Sequence, residues 1–95
     1  MIVFRQRFFK KAMNHDRYLR IEFGETIANK FLEKVNVTTK LLFKLPDLTR
    51  KSKVPRIRSK LIPPYIRIYY SYKNGKLVVM NMYDMRQSHK KNIYE

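Results

Sequence analysis

Ninety-five residues, 44% of them hydrophobic, with seven tyrosines and six phenylalanines, are enough for one small core and exclude wholesale disorder. Twenty-two Lys and Arg against seven Asp and Glu give a net charge of +15, which implies an anionic partner: nucleic acid, an anionic membrane surface or an acidic protein. No cysteine is present for a disulfide or thiolate metal site, and no apolar run exceeds the four residues of Leu77 to Met80, too few for a signal-peptide core or a spanning helix.

Along the chain, Ile2-Val3-Phe4 reads as an edge strand. From about Phe8 the spacing turns helical, with Phe8, Ala12, Leu19 and Phe23 near one stripe. Gly24 interrupts and suits the left-handed position after a helix. A second helix follows, with Ile27, Ala28, Phe31, Leu32, Val35, Thr39, Leu42 and Leu45 recurring at threes and fours, closed by Pro46. Beyond Pro55, Ile57, Ser59 and Leu61 alternate with Arg56, Arg58 and Lys60. Pro63-Pro64 breaks the run. Ile66, Ile68, Tyr70 and Tyr72 then alternate with Tyr65, Arg67, Tyr69 and Ser71. Asn74-Gly75 is the preferred pair for a tight hairpin, and Leu77 to Tyr83 returns as a strand apolar on both sides, hence central.

The pattern predicts a single α+β domain over residues 1–95, β-α-α-β-β-β, with a helical hairpin on one face of an antiparallel sheet. The helices are expected to cover Ile57, Leu61, Ile66 and Ile68. Arg56, Arg58, Lys60, Tyr65, Arg67 and Tyr69 would then share the opposite, open face. From Leu48 to Tyr83 there are nine cations and no acid. Arginine forks match phosphates and tyrosine rings stack on unpaired bases, so this face is expected to bind single-stranded RNA. Lys51, Lys53, Lys90 and Lys91 extend its positive charge. The basic stretch alternates as a strand and forms no amphipathic helix, which disfavours membrane action.

RNA cleavage through the substrate's own 2′-hydroxyl needs no metal or cofactor, only an acid, a base and cations at the phosphate. The candidates are Arg86, His89 and Tyr94 near the C-terminus, with Arg58 and Arg67 stabilising charge. An unperturbed histidine titrates in the useful range, which is why His89 is a candidate. His15 lies within the first helix and reads as a packing or surface residue. Asp84 stands two positions before Arg86, on the same side of an extended strand, and reads as its orienting partner.

Several strings in order, IVFRQRFF, EFGETIANKFLEKV, LLFKLPDLTRKSK, IRSKLIPPYIRIYY and MYDMRQSHKK, span nearly the whole chain. With them the sequence resembles the RelE/ParE superfamily of toxins from bacterial toxin–antitoxin modules. The most specific combination is L-x-x-L-P after the second helix, then Arg58, Y-x-R-I-Y-Y and D-x-R-Q. The resemblance implies a cytoplasmic toxin and a cognate antitoxin that wraps it. It implies one of two targets, since RelE-like members cut messenger RNA in the ribosomal A site and ParE-like members inhibit DNA gyrase. By position, Arg58, Arg67 and Arg86 match the superfamily's arginines, and His89 falls where cleaving members carry a C-terminal acid–base residue. No glutamate base is available between Leu48 and Tyr83. Expected partners are the antitoxin and either ribosome and mRNA or gyrase, with no small-molecule ligand. A plain nucleic-acid-binding module without toxicity is the third reading.

Overall fold

The computed structural model describes residues 1–87 and 92–95. Strand β1 (Ile2–Phe4) leads into helices α1 (Gln6–Phe23) and α2 (Glu25–Lys44). Strands β2 (Arg50–Lys51), β3 (Arg58–Ile62), β4 (Ile66–Lys73) and β5 (Lys76–Asp84) follow. They form one sheet in the order β1-β5-β4-β3-β2.

Gly24 closes one helix and opens the next. Its N–H donates to the Leu19 carbonyl at 3.1 Å, and its own carbonyl accepts from Ala28 at 3.2 Å. The φ of 96° is positive, as a glycine allows, but ψ is 170°. The residue is therefore extended rather than left-handed helical, in a region essentially closed to other residues. α2 ends at Lys44 because Leu45, before Pro46, leaves helical space. At the other end of the chain, Asn74 and Gly75, with φ of 53° and 75°, make the expected tight turn between β4 and β5.

The helices cover one face of the sheet. Phe8, Ala12 and Leu19 of α1 and Ala28, Phe31, Val35 and Leu42 of α2 meet Ile62, Ile66, Ile68, Tyr70, Leu77 and Val79. Full burial of an aliphatic side chain such as Ile68 contributes roughly 1.5–3 kcal/mol before the entropy of ordering it. Phe23, Ile27 and Leu45, read from sequence as part of the apolar stripes, are exposed at the helix ends.

Three expectations are corrected. The sheet is mixed, because β1 runs parallel to β5, with Ile2 opposite Leu77 and Phe4 opposite Val79. Partners so distant in sequence are joined by no hairpin, so local pattern does not set their direction. A fifth strand absent from the predicted order, the two-residue β2, pairs with β3 at the sheet edge. The faces of β3 are also reversed. Arg58, Lys60 and Ile62 lie opposite Tyr70, Ile68 and Ile66 and so share the helix side, while Ser59 and Leu61 lie opposite Tyr69 and Arg67. The alternation was read correctly, but Ile62, 2% exposed, decides which set turns inward.

Candidate nucleic-acid interface

The face away from the helices carries its own small cluster. Ile57, Tyr69 and Tyr94 are buried there, with Val54, Met80 and Tyr83 packed around them. Tyr94 comes from the end of the chain. Its carbonyl accepts a 2.8 Å hydrogen bond from the Lys53 N–H, and its ring stacks on Tyr69 at 4.4 Å and 17°. Tyr83 meets both rings edge-on. The Tyr69 hydroxyl donates to Glu95 Oε2 at 2.7 Å and accepts from Asn92 Nδ2 at 3.0 Å. Burial, reinforced by the Glu95 carboxylate, pushes the Tyr69 hydroxyl up to about 12. Arg50 Nη2 closes the network on Glu95 Oε1. Burial would raise the Glu95 carboxyl, but the hydrogen bonds from Tyr69 and Arg50 outweigh it and hold its pKa below the usual carboxylate range.

Arg67 stands on this face, half-buried, opposite Tyr83 in the strand register. Its Nη1 donates to Ser59 Oγ at 3.0 Å, and its buried Nε has no hydrogen-bond partner. Burial and the neighbouring Arg50 lower its pKa. The accessible part of a half-buried guanidinium is chemically suited to an added anion, whereas the buried Nε is shut off from one.

Arg86 belongs to a different place, a cleft of about 1070 Å³ between α1 and the end of β5. Its Nη2 and Nε grip Asp84 at 2.7 and 3.1 Å, its backbone N–H donates to Asp84 Oδ1 at 2.9 Å, and its guanidinium lies 3.6 Å from the Tyr65 ring centre. Hydrogen bonds from Arg86 hold the Asp84 pKa down. The Asp84–Arg86 pairing expected from their spacing is thus present. His15, Lys11, Asn14 and Tyr18 line the helical wall of the same cleft. Desolvation lowers the pKa of both His15 and Lys11.

Arg58 occupies a third location, a groove of about 770 Å³ also lined by Lys51, Arg56, Lys73 and Asp47. Its Nη1 donates to the Thr49 carbonyl at 2.7 Å, and its Nε is 3.8 Å from Asp47 Oδ1. The Tyr70 hydroxyl beside it bonds the Pro46 carbonyl at 2.7 Å and the Thr49 hydroxyl.

Over most of its length the chain superposes on a chain of the chromosomal ParDE toxin–antitoxin system from P. aeruginosa. The TM-score is 0.74 at 13% identity, covering 87% of this chain and 92% of that one. It also superposes on HP0894 from Helicobacter pylori, with a TM-score of 0.56 at 19% identity, covering 90% and 94%. The fold is shared with both proteins. No family model matches the sequence, and no curated protein does.

The residues expected on one face are therefore distributed. Arg67 and Tyr69 lie on the open face, but Tyr69 is fully buried beneath Tyr94 and offers no ring to a base. Tyr65 packs against the helix-side core, because it precedes β4 and turns toward α1. Arg58 and Lys60 lie on the helix side of β3, for the register reason given above. Arg56 is exposed in the turn before β3 with a positive φ of 68°. Lys51 and Lys53 are exposed on and beside β2, and the Lys53 backbone anchors Tyr94. Tyr94, expected as an acid–base residue, is 7% exposed and packed as an anchor. His89, Lys90 and Lys91 lie outside the described residues. Sequence reading passed over Lys11 and His15 as a site pair. The signal available was their i, i+4 spacing with Asn14 and Tyr18 on one helix face. No group of three metal-ligating side chains occurs among the described residues, nor any helix long and apolar enough to cross a membrane.

Proposed function

We propose that this chain is the toxin of a toxin–antitoxin module, acting in the cytoplasm as a ribosome-dependent mRNA endonuclease and neutralised by a cognate antitoxin. The fold it shares with a chain of a ParDE toxin–antitoxin system and the +15 charge support the toxin reading. The observation that carries RNA cleavage is the Arg67 guanidinium, held half-buried on the face away from the helices beside Ser59, Arg50 and the Tyr69–Tyr94 stack. In this reaction the substrate 2′-hydroxyl loses its proton and attacks the adjacent phosphorus. The bond to the 5′-oxygen breaks and that oxygen takes up a proton. Arg67 would bind the phosphate as charge builds on its non-bridging oxygens. Arg58 and Arg86, being elsewhere, drop out of the reacting centre. His89 remains the acid–base residue that the family resemblance implies.

Cell-free translation with added protein, followed by mapping of message 5′ ends, tests this reading. Ribosome-dependent cuts are expected, and they should vanish with Arg67→Ala while the variant keeps its thermal melt. A specific observation favours a second reading, inhibition of DNA gyrase in the ParE manner. Arg58, Arg67 and Arg86 do not converge, and the tip of the helical hairpin exposes Ile21, Phe23 and Ile27 to a protein partner. Intact message together with blocked gyrase supercoiling would establish that reading instead.

A further inference from the structure

The cleft between α1 and the end of β5 is separate from the open face, yet joined to it at one edge. β1 pairs with β5 only as far as Val79, so the outer edge of β5 from Met80 onward has no strand partner on that side among the described residues. Lys11 covers this edge. Its Nζ donates to the Met82 carbonyl at 3.1 Å and sits 3.7 Å from the centre of the Tyr83 ring. Tyr83 belongs at the same time to the Tyr69–Tyr94 cluster of the open face. The Lys11–Tyr83 contact is therefore where the two surfaces meet.

Two features of the cleft match single-stranded nucleic acid. The first is a pair of cations held for an incoming anion. Arg86 has one edge fixed by Asp84 and one face fixed by Tyr65. Its Nη1 carries no hydrogen bond among the described residues, and its side chain is 55% exposed. A guanidinium held in this way loses little freedom on binding. Lys11 uses one of its three ammonium donors on Met82. Asp84, the acid in the cleft, is already paired with Arg86. The second feature is aromatic. Tyr18 is 43% exposed, with the His15 ring 5.9 Å away and the Phe23 ring edge-on at 6.0 Å. Lys11 and Tyr18 stand seven residues apart on α1, about 10 Å along the helix, which separates phosphate contact from base contact along a strand. His15 lies between them, its ring 4.8 Å from that of Phe31. Its burial favours the neutral imidazole, which both donates and accepts at a base edge.

We propose that this cleft is a second contact for single-stranded RNA, in which Lys11 and Arg86 take phosphates and Tyr18 stacks a base, so that a strand on the open face continues around the β5 edge onto α1. The proposal rests on RNA being the target of the chain, but it concerns binding and is independent of cleavage.

The test is fluorescence polarisation of a labelled 2′-O-methyl oligouridine, which cannot be cut through its 2′-hydroxyl. Lys11→Ala combined with Arg86→Gln should weaken binding about tenfold, and flatten the salt dependence by about 1.4 in slope, at roughly 0.7 per cation lost from a single strand. Tyr18→Leu should weaken binding at least fivefold with the salt slope unchanged, as loss of base stacking requires. Lys30→Ala combined with Lys34→Ala, on the outer side of α2, removes the same charge and should change affinity less than twofold. Equal loss in the α2 control and the cleft variant would reduce the effect to net charge and overturn the proposal. Unchanged binding in the cleft variant would overturn it too, as would full displacement of the RNA from the cleft by polyglutamate with no effect of Tyr18→Leu, which would mark an acidic-peptide site. Failure of message cleavage in the translation assay, with these binding results intact, would sink the nuclease reading and leave the cleft standing.

Discussion

On the helix side of the sheet, Ile66, Ile68, Leu77 and Val79 are sealed by two helices. On the other side, Tyr69 is sealed by four residues at the end of the chain, through one ring stack and the Tyr69–Asn92–Glu95–Arg50 network. The first layer depends on area and close packing, which are insensitive to pH and salt. The second depends on hydroxyl, amide and carboxylate groups at the protein surface, where charge state decides whether the contacts form. A sheet covered this way has one permanent face and one conditional face, and the conditional face is the one that carries Arg67.

The sharpest way to break this contrast is to cut into both layers. Ile68→Ala, in the fully buried layer, should cost about 2–5 kcal/mol in denaturant unfolding. Tyr94→Ala should cost less, about 2 kcal/mol, because the tail covers only part of one side of the sheet. If the two losses were equal, the open face would be as structural as the helix side. Tyr69→Phe removes the hydroxyl that links Asn92 and Glu95 and should cost about 1 kcal/mol. It should also remove the tyrosinate step expected near 12 from an ultraviolet absorbance titration.

Glu95→Gln sharpens the comparison by pH. The Glu95 carboxyl has its folded pKa below the usual carboxylate value. Its contribution is therefore fully present above that usual value and is lost as pH falls through the folded one. The protection of the Lys53 amide, whose N–H holds the Tyr94 carbonyl, should fall on acidification across this window when exchange is measured against the intrinsic rate at each pH. The Glu95→Gln variant should show faster exchange at neutral pH and no such acid step. His15, which lines the α1 cleft and is no member of the sealed layer, gives a smaller pH effect. Its pKa is lowered by burial, so the fold is weakened as pH falls below the ordinary imidazole value toward the folded one. His15→Gln should remove that slope in thermal melts near pH 6, the smallest of these effects.

Much of this was legible in the residues. The two helices, the hairpin at Asn74-Gly75, the alternation of β4 and the Asp84–Arg86 pair followed from spacing alone, because each is fixed by contacts within a few positions. β3 was half legible. Its alternation between Ile57, Ser59, Leu61 and Arg56, Arg58, Lys60 is real, but apolar residues on both sides of the sheet compete for the inward position. Ile57 belongs to the tail-covered cluster and Ile62 to the helix-covered one. A pattern of period two says which residues move together, never which face they take. The same ambiguity put Arg58 and Arg67 on one surface when they occupy two.

Composition by itself determined the +15 charge that leads one to expect an anionic partner, and periodicity determined the two helices and the three longer strands of the sheet. Tertiary structure decided the parallel direction of β1, the burial of Tyr69 under Tyr94, and the assembly of Lys11, His15 and Arg86 around one cleft. The physical reason is separation along the chain. Lys11 and Arg86 are brought together by a sheet whose edge one helix crosses, and no local rule of spacing or propensity reaches across that distance.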